Sequence, residues 1–119
     1  MARATPMFHV PNVEATARWY ETIGFKIRDL AGDCGEVTWG ALSYGDSEIM
    51  LSTGGRPSDA DRREVDLYLV VDDVEAAFGH VNGKAELVEP LHDTFYGMRE
   101  FIIRDCNRFW ITFGQPLNR

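Results

Sequence analysis

The chain has 119 residues, 45% of them apolar and 26% charged, with a formal net charge of −7. That length suits a single domain with a real core, and the acidic balance argues against nucleic acid or anionic membrane as partner, since both ask for a basic face. No apolar run reaches the roughly 18 residues of a membrane span and the start is not signal-like, so a cytoplasmic protein is expected, with Cys34 and Cys106 as two free thiols outside any metal or redox spacing.

In chain order, Met7, Phe8 and Val10 make PMFHVP a first strand. Asn12 then fits a helix N-cap, with Glu14 in the first turn. Val13, Ala17, Tyr20 and Ile23 form the helix's apolar stripe, and Gly24 suits its left-handed end. GFKIRDL reads as a short second strand. EVTWGALSYGDSEIMLS reads as a hairpin turning at Gly45-Asp46. A Gly-, Pro- and charge-rich stretch over residues 54–64 reads as a linker. VDLYLVV is a strand again, and DVEA at residues 73–76 repeats NVEA at residues 12–15. Asp73 (or Asp72) fits the second cap; Val74, Ala77, Phe78 and Val81 form the second stripe, and Gly83 suits its end. KAELVE is a short strand, and GMREFIIRDCNRFWITFG a hairpin turning at Asp105 to Arg108. Each half is β-α-β-β-β, over about residues 5–53 and 65–115. The expected fold is therefore α+β, one domain in which two βαβββ modules form a cup-shaped mixed sheet with helices outside.

The run TFYGMREFIIRDCNRFWITFG resembles the closing hairpin of glyoxalase/bleomycin-resistance proteins, in the vicinal oxygen chelate superfamily, which reads G-x-R-E-F-x-I-x-D-P-x-G-x-x-I-x-F. The opening HVPNVEATARWYETIGF is similar to their first strand, helix and strand, and the resemblance extends over essentially the whole chain. It implies paired βαβββ modules, homodimers with sites built from both chains, and functions from metal-dependent lyases, isomerases and extradiol dioxygenases to metal-free drug-sequestering proteins, so fold alone does not choose among them. In the family's metalloenzymes the ligands are His, Glu or Gln on the first and last strands of each module. In register, those positions here are Thr5, Met50, Asp66 and Thr112. Thr and Met are poor ligands for a hard or borderline divalent ion, and a lone Asp cannot hold one, so neither metal nor other cofactor is expected. A two-residue slip on two strands would present His9 and Glu48 instead, which keeps a divalent-metal lyase, isomerase or dioxygenase as the alternative. The family's D-P-x-G turn is D-C-N-R here, leaving Asn107 as the residue suited to left-handed space.

If positions 5, 50, 66 and 112 face the cup, strand alternation adds Met7, His9, Glu48, Tyr68, Val70 and Trp110, and turns Phe8, Val10, Leu67, Leu69, Phe109, Ile111 and Phe113 toward the helices. Aromatic rings beside carboxylates suit a flat or cationic organic ligand. The expected ligand-binding residues are His9, Trp39, Glu48, Met50, Asp66, Tyr68, Phe95, Tyr96, Trp110 and Thr112, with Trp39 and Phe95-Tyr96 as walls. Six of them have a plainer reading: packing for Trp39 and Trp110, a surface or interface position for His9, solvation for Asp66 and a dimer contact for Phe95-Tyr96. Arg99 and Glu100 read as a cross-strand ion pair, and His80 and His92 as ordinary residues of a helix end and a loop. No catalytic set emerges. The sequence points to a metal-free, homodimeric protein that sequesters a drug or metabolite.

Overall fold

Both strand-to-helix junctions close on a side-chain cap. In the computed structural model, which describes residues 2–117, Asn12 Oδ1 accepts from the Ala15 amide at 2.9 Å and Asp73 Oδ1 from the Ala76 amide at 3.0 Å. Each cap satisfies one of the amides that a helix start leaves orphaned. The helices that follow are α1 (Val13–Thr22) and α2 (Val74–Val81). Beyond their ends Gly24 and Gly83 take φ of 112° and 89°, a region where a Cβ would be strained.

The chain divides into two compact units, Met1–Ser58 and Asp59–Arg119. The first holds β1 (Met7–His9), α1, β2 (Lys26–Asp33), β3 (Glu36–Tyr44) and β4 (Ser47–Ser52), with strand order β1-β4-β3-β2. The second holds β5 (Leu67–Val70), α2, β6 (Glu86–Asp93), β7 (Met98–Arg104) and β8 (Trp110–Pro116), with order β5-β8-β7-β6. In each, the first strand pairs parallel with the last and the other pairings are antiparallel. The chain is therefore α+β, built of two βαβββ modules.

Each helix covers one face of its own sheet. Val13, Ala17 and Tyr20 of α1 are buried with Phe8, Leu42, Ile49 and Leu51; Val74 and Val81 of α2 with Leu69, Phe101, Ile111 and Phe113. The alternating burial of β1, β4 and β5 agrees with the phase expected from sequence. Three details differ from expectation. β2 runs on to Asp33 and β6 through Pro90 to Asp93, so His92 lies in a strand and not a loop. Both are edge strands, where a missing ladder donor is tolerated. At the last turn Arg108, not Asn107, takes the left-handed conformation, with φ 73°. The Asp105 carboxylate holds that turn by accepting from the Asn107 and Phe109 amides at 2.7 and 2.8 Å. Cys34 and Cys106 are free and exposed.

The stretch expected to be a linker is in part bound structure. The Asp61 carbonyl accepts from Arg104 Nε at 3.0 Å and Trp110 Nε1 at 2.9 Å, and Arg63 donates to the Asn107 carbonyl at 2.8 Å. Arg108 Nε donates to the Ala60 carbonyl. Residues 60–63 thus form a strap tied to β7, β8 and the turn between them.

Candidate functional site

In the first module the sheet face turned away from α1 carries Met7 and His9 of β1, Glu48 and Met50 of β4, and Trp39 of β3. Register fixes their spacing: Met7 lies beside Met50, while His9 and Trp39 flank Ser52 from either side. His9 Nδ1 lies 3.2 Å from the Thr53 carbonyl, so the tautomer protonated there donates to it. Glu48 has Arg3 at 3.9 Å, a loose and exposed pair of small energetic weight.

The open face of the second module is more organised. Tyr68 of β5 lies beside Thr112 of β8, and Glu100 of β7 lies opposite Gly114 of β8. Glu100 is only 3% exposed, yet its partners are neutral. Tyr68 donates to Oε2 at 2.6 Å, and Tyr96, from the loop before β7, lies 2.8 Å from both Oε1 and Oε2. Gly114 makes this possible: a Cβ there would stand 2.4 Å from the Tyr68 hydroxyl oxygen. The Tyr68 phenol is pushed well above its ordinary range by burial first and by the bond to Glu100 second. The Tyr96 phenol is raised first by that same carboxylate. Both therefore stay protonated, as donors, at neutral pH.

Glu100 is the residue that sequence reasoning misassigned. It is not an ion-pair partner of Arg99. Strand alternation sends Arg99 to the opposite face, where it binds Asp93 at 2.7 Å and Glu75 at 2.8 Å. The signal was present: Phe101 is a core residue, so its neighbour Glu100 had to point to the open face, in phase with Tyr68.

The remaining expected site residues are placed as follows. Asp66, taken as an available carboxylate, is bound by Arg62. The Arg62 guanidinium also lies 4.2 Å from the centroid of the Trp110 ring. The chain's own cation thus occupies the aromatic-plus-carboxylate arrangement expected for a ligand. Thr112 is 6% exposed and gives a ligand little to touch. Phe95 is fully exposed and meets Tyr96 edge-on at 5.1 Å between centroids. A shallow groove of about 330 Å³ lined by Glu75, Leu91, His92, Asp93 and Arg99 contains none of the expected site residues, and its one cation is already paired twice.

The donor set does not fit a metal. Thr5, Met50 and Thr112 supply two hydroxyls and a thioether, and Asp66 is committed to Arg62. The displaced pair fails on distance: His9 lies beside Ser52, and Glu48 is four residues along the same strand, about 13 Å away at the usual strand rise. Among the described residues no three His, Cys, Asp or Glu side chains gather in a way that could hold an ion.

Residues 4–113 match the Glyoxalase/Bleomycin resistance protein/Dioxygenase superfamily, and the chain belongs to it. No curated protein sequence matches the chain. Among solved structures it is similar to TioX from Micromonospora sp. ML1, with TM-score 0.77 and 18% identity over 96% of this chain and 95% of that one. It is also similar to a bleomycin-binding protein complexed with bleomycin, with TM-score 0.75 and 17% identity over 97% and 98% of the two chains. A bleomycin resistance determinant encoded on transposon Tn5 gives 0.74 and 19%, over 98% of each. At these identities the likeness is one of fold.

Proposed function

We propose that this chain binds a planar organic small molecule, a drug or metabolite, without a metal and without transforming it, on the open face of the second module's sheet. One observation carries the reading: that face presents partly exposed rings, Tyr68 at 45% and Tyr96 at 56%, where a metalloenzyme would need a set of His, Glu or Gln ligands. Stacking on such rings is a sequence-tolerant way to hold a flat molecule. The similarity in fold to a protein solved with bleomycin bound supports the same reading. Trp110 joins the surface once Arg62 leaves its ring. A homodimer and a cytoplasmic location belong to the same proposal; no helix among the described residues is long and apolar enough to cross a membrane.

The test is a titration of chelator-treated protein with bleomycin and with planar cationic antibiotics, read by thermal shift and tryptophan fluorescence, together with elemental analysis. Binding should survive chelation, weaken in Trp110→Ala and strengthen in Arg62→Ala. Stoichiometric zinc, nickel, iron or manganese that is lost on His9→Ala would overturn the reading in favour of a metal-dependent lyase, isomerase or dioxygenase. Light scattering at the mass of a single chain at every concentration would remove the dimer.

A further inference from the structure

We propose that Glu100 is the receptor for a cationic nitrogen, an ammonium, amidinium or guanidinium, on the ligand taken by the second module; this rests on the small-molecule reading above. The sequence favours Asp66 for that role, but Asp66 already has Arg62. Glu86 has Arg104, and Asp93 and Glu75 share Arg99. Glu100 is different. It is almost fully buried, which raises the cost of an uncompensated charge, and among the described residues only phenols donate to it.

Those phenols do not saturate it. Tyr68 and Tyr96 each have one O–H hydrogen, and the Tyr96 hydrogen is shared between both carboxylate oxygens. A carboxylate offers about four lone-pair positions, so roughly half of its accepting capacity is left over. Access lies through the tyrosines themselves. Both are partly exposed, and Tyr96 sits in a short loop beside Gly97, whose φ of 86° marks a backbone free of Cβ constraint. A planar cation lying on the Tyr68 ring could place its N–H groups on Glu100 as the Tyr96 hydroxyl moves aside. The charge-assisted bonds so formed are stronger than the neutral ones they replace.

The probes are benzamidine, a flat amidinium, and benzamide, its neutral counterpart of the same shape, each followed by amide chemical shifts of the full chain. Benzamidine should bind wild type roughly tenfold more tightly than benzamide, with the largest shifts around Tyr68, Tyr96 and Glu100. Glu100→Gln should abolish that preference, while Asp66→Asn should keep it. Tyr96→Phe, at an exposed loop position that leaves the core untouched, frees the carboxylate and should widen the preference even if Glu100→Gln folds poorly. Equal binding of the two probes to wild type, a preference that survives Glu100→Gln, or one that does not widen in Tyr96→Phe overturns the assignment to Glu100 while leaving the stacking surface standing. Binding of neither probe overturns both.

Discussion

The two modules share one frame and fill it differently. His9 and Val70 each stand three residues before a helix cap, and each pairs with a β-strand partner, Ser52 or Gly114. Those partners in turn face Trp39 and Glu100. Trp39 and Glu100 therefore occupy the same rung of two equivalent sheets, an indole in one and a buried carboxylate in the other. One residue on, toward the helix, the contrast is Gly40 against Phe101. A Cβ on Gly40 would lie 3.0 Å from Leu30 Cδ2 and 3.5 Å from Val13 Cγ1, so α1 sits close over its sheet. Phe101 instead stacks on Phe113 at 4.7 Å and meets Phe78 edge-on at 5.1 Å. The first module puts bulk on the helix, with Tyr20 buried, and the second puts it on the sheet. Volume trades across the core while the backbone frame stays fixed, and the open face is left to diverge.

The sharpest way to break this comparison is to truncate the same strand on its two faces. Phe113→Ala should cost about 3–5 kcal/mol in denaturant unfolding, as a large core truncation does. Trp110→Ala should cost clearly less, since its ring is half-buried and held by Asp61 and Arg62. Equal losses would mean that the open face belongs to the core. The equivalent rung gives the next test. Gly114→Ala pushes a methyl onto Tyr68 and should cost about 1–3 kcal/mol, whereas Ser52→Ala in the first module should stay within about 0.5 kcal/mol. A third comparison sets cap against cap. Asn12→Ala and Asp73→Ala should each lose about 1 kcal/mol. Asp73 should lose more, because the eight-residue α2 has fewer buried contacts to fall back on than the ten-residue α1.

The smallest effect appears only in alkali. The phenols of Tyr68 and Tyr96 are raised in the folded protein. Their contribution to stability is complete below the ordinary phenol value of about 10 and is lost as pH rises through the folded values. The ultraviolet phenolate titration should therefore show a late-ionising class that shrinks in Tyr68→Phe. A single unshifted step for all four tyrosines would contradict the cluster.

Much of the frame was legible because it is local. Caps, stripes and alternation are written within a few residues of where they act, and the phase of VDLYLVV and RFWITF follows from their own apolar residues. What stayed hidden depends on partners far along the chain. Nothing in a Gly-, Pro- and charge-rich stretch says that Asp61 will receive Trp110 or that Arg62 will cover its ring. Pro90 looks like a strand end until β6 is known to be an edge. Glu100 sat within reach of alternation alone, but its second donor, Tyr96, comes from a loop whose path no periodicity describes.

The strap over residues 60–63 has a consequence for cutting and rejoining the chain. Gly55 is fixed against β1, where even a methyl would stand 2.1 Å from the His9 carbonyl oxygen, and from Ala60 onward the backbone is held by Arg104, Arg108 and Trp110. The stretch available as a joint thus narrows to Arg56 and Pro57, both exposed. New chain ends opened there, by a protease or by circular permutation, would leave in place the bonds that the Ala60 and Asp61 carbonyls accept from Arg104, Arg108 and Trp110. Ends opened a few residues later, at Asp61, would loosen the carbonyl that holds Arg104 and Trp110, turning a silent nick into a change of the open face of the second sheet.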